Sequence, residues 1–139
     1  MQSLAELTAP QHFKGLRHIA LFVTDLTACI SFYQDILGYQ IEWQPDANNC
    51  YLTSGTDNLA LHQLPSGQAL KQPERLDHIG MVVTKAELVD AWHSYLQSQH
   101  VNILTVPKTH RDGARSFYCE DPNGTRLQII HHPPISGAA

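Results

Sequence analysis

Nine histidines stand in this chain of 139 residues, and two of them occupy the same place in a repeated phrase. LRHIALFV, residues 16–23, returns as LDHIGMVV, residues 76–83. In both, an imidazole interrupts what otherwise reads as a buried strand. Side chains alternate across a strand, so Ile19, Leu21 and Val23 share one face, and His18, Ala20 and Phe22 the other. In the copy, Ile79, Met81 and Val83 oppose His78, Gly80 and Val82. The aliphatic face suits a helix, which leaves both histidines pointing away from it. The last strand of each half, NLALHQL and TRLQIIHH, puts His62 and Gln128 on the corresponding face, at places taken as equivalent. If the first and last strands are neighbours and the two sheets face each other, His18, His62, His78 and Gln128 converge. Imidazole nitrogen and amide oxygen are ordinary ligands for a borderline divalent ion. A lone strand histidine is more often simply hydrogen-bonded in place; its repetition is what argues for a metal.

The elements that must position these side chains follow from the apolar spacing. After the first strand, Leu26, Cys29, Ile30, Tyr33, Ile36 and Leu37 recur at helical intervals, with Thr24 or Asp25 to cap the start and Gly38 to end it. Three strand-like pieces follow, YQIEWQ, NCYLTSG and NLALHQL, separated by the turn formers of PDANN and SGTDN. The second half repeats the order. LDHIGMVV leads to TKAELVDAWHSYLQSQ, a helix with Thr84 and Glu87 spaced as a capping box and Leu88, Trp92, Tyr95 and Leu96 as its apolar stripe. VNILTV, ARSFYCE, the turn DPNG and TRLQIIHH complete it. The expectation is an α+β chain of two βαβββ modules, residues 16–64 and 76–132, with a linker at 65–75 and tails at 1–15 and 133–139. Neither module can bury its sheet alone, so each pairs with its twin or with a second chain, and a homodimer is expected.

Composition removes several classes of partner. The net charge is −4 and no run of Lys or Arg forms a phosphate-binding stripe, which argues against nucleic acid. No apolar run is long enough to cross a bilayer and MQSLAELTAPQHFKG is no signal peptide, so a cytoplasmic location is expected, with no membrane partner. Cys29, Cys50 and Cys119 are odd in number and lack CxxC spacing, which argues against a disulfide framework and a thiolate zinc knuckle.

In their order and spacing, LRHIALFVTDL with SFYQDILGY, then NLALHQL, LDHIGMVV and RSFYCEDPNGTRLQII, resemble the vicinal oxygen chelate superfamily across Leu16 to His132. That superfamily includes glyoxalase I, fosfomycin-modifying enzymes, methylmalonyl-CoA epimerase, extradiol dioxygenases and bleomycin-binding proteins. The resemblance implies a curved, mixed eight-stranded cup and one divalent ion per site, held from first and fourth strands. The matching positions are His18 and His62, His78 and Gln128. It also implies lyase or isomerase chemistry of the glyoxalase kind on a small oxygen-chelating metabolite. The alternatives are a ring-cleaving extradiol dioxygenase and a non-enzymatic cup of the bleomycin-resistance kind. Many members carry Glu where Gln128 stands, and an amide, unlike a carboxylate, cannot serve as a general base near neutrality. Neutral ligands would leave the ion its full charge and lower the pKa of a bound water, which would then replace the base. Zn, Ni, Fe, Mn and Co all suit such ligands.

Other residues carry further readings. Arg126, which shares the parity of Gln128, and Arg115, which opens the preceding strand, could meet a substrate carboxylate or phosphate; solvated arginines are the bland alternative. Phe22 and Tyr118, with Trp43 and Tyr51, could line an apolar cup or be plain core. His110, in the loop PKTHRDGAR, could work as an acid or base over the cup mouth, or be a solvated loop residue. His132 has the parity of Gln128 and is a reserve ligand, while Glu120 and Asp121 serve the DPNG turn.

Overall fold

The computed structural model describes residues 10, 13–69 and 76–136. The strand β1 (His18–Val23) leads into α1 (Leu26–Ser31), whose first turn is capped by Asp25, the carboxylate accepting from the Ala28 N–H at 3.1 Å. The expected helix is not uniform: it widens into a π turn over Phe32–Ile36 before Gly38, at φ 83°, lets the chain reverse. β2 (Gln40–Asp46), β3 (Asn49–Thr53) and β4 (Asn58–Gln63) complete the module. The sheet runs β1-β4-β3-β2, with β1 and β4 parallel and the other pairs antiparallel.

The second module repeats this arrangement. β5 (Ile79–Val82) is parallel to β9 (Arg126–His131), β9 is antiparallel to β8 (Arg115–Glu120), and β8 to β6 (Asn102–Ile103). A short further strand, β7 (Lys108–Thr109), also pairs with β8. The helix α2 (Ala86–Ser98) begins one residue later than a Thr84–Glu87 capping box requires; Lys85 is its N-cap and no side chain caps it. A one-turn α3 (Pro133–Ser136) lies where a tail was expected, and residues 70–75 of the expected linker lie outside the described residues. No helix among the described residues is long and apolar enough to cross a membrane.

The alternation along the strands decides where the core sits. Val23, Leu59, Leu61, Leu127 and Ile129 are buried on the face that meets the helices, and Val89 and Leu96 of α2 are fully buried against them. Burying each such side chain is worth about 1.5–3 kcal/mol. One apolar cluster draws on both modules, with Tyr33, Phe117, Cys29 and Cys119 at its centre. Polar bonds join the halves at its edge. The Tyr33 hydroxyl donates to Asp121 Oδ2 at 2.8 Å, the Thr24 N–H to Asn123 Oδ1 at 2.9 Å, and the Tyr95 hydroxyl to the Ile36 carbonyl at 3.1 Å. The opposite face of each sheet is left open, and large side chains stand out from the first: Phe22 is 58% exposed and Trp43 59%.

Candidate metal centre

His18 lies on the open face at the start of β1, directly across from Asn58 in the parallel register. Its Nδ1 donates to Asn58 Oδ1 at 2.7 Å, which fixes the ring and leaves Nε2 with its lone pair. Asn58 is held in turn, its amide N–H donating to Glu42 Oε2 at 3.3 Å. His78, just before β5, repeats the arrangement with a carboxylate: its Nδ1 lies 2.7 Å from Asp77 Oδ2. The bond to His78 holds the Asp77 carboxyl below its ordinary value. Gln128 sits on the open face of β9 opposite Gly80, two positions along from His78. Its Nε2 donates to Ser116 Oγ at 3.1 Å, so the amide oxygen is free. Each of the three is thus anchored through one atom and offers the other, the donor pattern a divalent ion requires.

His62 offers the same chemistry at a different place. Its Nδ1 is paired with Asn49 Oδ1 at 2.6 Å, and its ring lies between Phe22 and Tyr51. Its register partner is Phe22, four residues along β1 from His18, which is about 13 Å at strand rise. The expected equivalence with Gln128 does not hold. When Ile19↔Leu59 is matched to Ile79↔Leu127, Ala60 corresponds to Gln128 and His62 to Ile130. The fourth donor position is therefore filled by a methyl group. Nor do the three expected histidines gather within one chain: among the described residues no three His, Cys, Asp or Glu side chains are placed to share an ion.

Of the expected substrate residues, three face the same way as the expected ligands. Tyr118 is the other register partner of Gln128, packs edge-on against His78 with centroids 5.3 Å apart, and lies under the Arg126 guanidinium at 6.0 Å. Phe22 stands on the open face of β1. Arg115 is a correction, since strand parity sends it to the helix face with Phe117 and Cys119. There it makes a two-pronged bond to Asp90 of α2 at 2.7 and 2.8 Å, and the pairing raises its already high pKa. His132 lies beyond the end of β9, four residues from Gln128, and is no neighbour of it. His110 is tethered, its Nε2 lying 3.2 Å from the hydroxyl of buried Ser116. The residues missed are the anchors Asn58, Asp77 and Ser116. Asp77 was visible as the neighbour of His78, but Asn58 and Ser116 needed the register.

A profile of the Glyoxalase/Bleomycin resistance protein/Dioxygenase superfamily matches residues 15–129. The chain belongs to this superfamily. Within it, a metallothiol transferase FosB of Staphylococcus haemolyticus is 28% identical over 116 residues, spanning 84% of this chain and 82% of that protein. A glutathione transferase FosA of Serratia marcescens is 27% identical over 118 residues, spanning 84% and 79%. The glyoxalase fold is shared by an integron cassette protein from a Halifax Harbour sewage outfall, at a TM-score of 0.72 and 27% identity, covering 86% of this chain and 99% of that one. A lactoylglutathione lyase of Agrobacterium tumefaciens has the same TM-score at 19% identity, covering 87% and 96%.

Proposed function

We propose that this protein is a divalent-metal-dependent enzyme that joins a small thiol to an oxygen-bearing electrophile, with His18, His78 and Gln128 holding the ion. The carrying observation is the donor set: two imidazoles and one amide, each anchored so that its lone pair is free, with no carboxylate among them. An isomerase of the glyoxalase kind needs a base at the metal, and an amide has no useful proton affinity. Addition of a thiolate needs none at that position. When bound, the ion supplies Lewis-acid polarisation of a chelated substrate oxygen.

The chain's own thiols do not supply the nucleophile. All three are buried, burial lifts those of Cys29 and Cys119 to about 12, and Cys50 is raised for the same reason. The thiol therefore comes from a co-substrate, in keeping with the thiol-transfer names of the relatives. For an epoxide, the thiol gives its proton to water, the thiolate sulfur forms a bond to carbon, the carbon–oxygen bond breaks, and the alkoxide takes a proton back from water. Arg126, laid over Tyr118 beside Gln128, is placed to meet an anionic group of the electrophile, and Phe22 and Tyr118 to exclude water from it. The site is placed at a homodimer interface, His18 coming from one copy and His78 with Gln128 from the other, a reading supported by their standing on the open faces of two different sheets. Closure of the open faces would also cover Phe22 and Trp43.

A lyase or isomerase is the second reading, favoured by one observation. Glu42 reaches His18 through Asn58 and is a carboxylate the sequence did not point to. The experiment that separates the two is incubation of protein loaded with Zn, Mn, Ni, Co or Fe with glutathione or another small thiol and a panel of epoxides, enones and hemithioacetals, followed by mass spectrometry. A thiol adduct lost in His18→Ala and His78→Ala supports the first reading. Isomerised product lost in Glu42→Gln supports the second. A site that takes up no ion from any of these salts would refute both and leave a binding cup.

A further inference from the structure

Ser116 is a buried hydroxyl, 2% exposed, on the same face of β8 as Tyr118. Buried polar groups are bonded, and this one has two partners: Gln128 Nε2 at 3.1 Å and His110 Nε2 at 3.2 Å. A hydroxyl has a single proton. With the His110 ring proton on Nδ1, that proton goes to His110 Nε2 and only lone pairs remain for residue 128. Of the two ends of a glutamine amide, only the NH2 can use them. The oxygen is thereby turned away from β8 and over Gly80, where an added Cβ would come no nearer to it than 3.8 Å. Turned the other way, the amide would present two N–H protons to a cation.

We infer that Ser116, itself oriented by His110, is a positioning residue that makes Gln128 an oxygen donor. This rests on the reading of Gln128 as a ligand. A glutamate at 128 would need no such device, because either of its ends is an oxygen. The dependence on Ser116 is therefore a consequence of having Gln there, and it links a loop histidine to the metal site without placing it on the metal.

A double-mutant cycle tests it on the intact protein. Ni and Zn affinities are measured by competition with a chromophoric chelator for wild type, Ser116→Ala, Gln128→Glu and the double variant. In parallel, the Gln128 side-chain amide signals are followed by NMR in metal-free wild type and Ser116→Ala. With glutamine at 128, Ser116→Ala should weaken binding about 10–100-fold, the usual effect of losing a group that orients a ligand. With glutamate there, the same change should cost no more than about threefold, since no orientation is being selected. The amide signals should move to the shifts and exchange rates of a free glutamine when the serine is removed. An equal loss in both backgrounds, or none in either, would overturn the inference, as would amide signals that do not move. If wild type binds neither ion, the ligand reading of the site fails by itself. The amide signals then decide alone: movement in Ser116→Ala upholds the orientation by Ser116, and its absence ends it.

Discussion

At the scale of single residues, His18 and His62 show what strand parity can and cannot supply. Alternation puts a side chain on a face; it says nothing of how far along the strand pair it lies. Both histidines were on the expected face, and both carry their proton on Nδ1 against an asparagine. Only the register shows them to be four residues apart, with Ala60 where a fourth ligand would stand. The expected outcome is that His18→Ala and His78→Ala each lose the bound ion, while His62→Ala keeps wild-type affinity to within about twofold, since it deletes no ligand or anchor. Metal content by mass spectrometry after gel filtration checks this; loss in His62→Ala equal to that in His18→Ala would restore the four-donor set. The same logic explains Arg115. Its parity with Phe117 and Cys119 was present in the sequence, but its partner, Asp90, lies on a helix 25 residues away, and no local pattern announces that pairing.

At the scale of elements, the β8–β9 turn does more than reverse the chain. Gly124, at φ 85°, permits the turn, and Asp121 Oδ1 accepts from the Asn123 and Thr125 N–H groups at 2.8 and 2.9 Å. The other oxygen receives the Tyr33 hydroxyl from the first module, so one carboxylate shapes a turn and joins two halves. Burial raises the Asp121 carboxyl above its ordinary 3.8, while the bonds from Tyr33, Thr125 and Asn123 oppose the rise. The folded chain thus holds this proton more tightly than the unfolded one, and the group's contribution to stability falls as pH rises through the window above 3.8. Above that window the carboxylate is charged and depends on its donors. Tyr33→Phe should then cost about 1–3 kcal/mol at neutral pH and distinctly less below pH 3.8, where the carboxyl carries its proton. Urea unfolding at both pH values checks it; an equal loss would mean that the hydroxyl does not serve the ionised group. The buried thiols give a second check on the same core. Cys29 and Cys119, lifted to about 12, should resist iodoacetamide in the folded protein and react once it is unfolded. Fast labelling of either in the native state would refute the packing described. Much of this level was legible: the βαβββ order, the apolar stripes and the DPNG turn follow from periodicity and turn chemistry. The π turn after α1 and the missing cap on α2 were not, because tertiary packing of Phe32, Tyr33 and Val89 outweighs local preference there.

At the scale of the whole molecule, the helices and the shared core lie on one side of the two sheets, and the residues with free lone pairs lie on the other. A chain folded this way displays His18 on one module and His78 with Gln128 on the other. The repeat made this legible in outline, since two equivalent modules can close on each other or on a second copy, but nothing local to a sequence distinguishes the two closures. The proposed site takes the second, with the modules of one chain joined through the core on the helix side. A symmetric dimer of the proposed kind would carry two identical sites, each with His18 from one copy and His78 with Gln128 from the other. Co-expression of His18→Ala and His78→Ala chains under different tags, with isolation of the mixed dimer, puts both substitutions into one site and leaves the other intact. The mixed dimer should bind about one ion per dimer, while either variant alone binds none. If each site lay within a single chain, every site of the mixed dimer would lack one histidine, and no metal would return. Recovery of half the wild-type metal is the outcome expected of sites shared between copies.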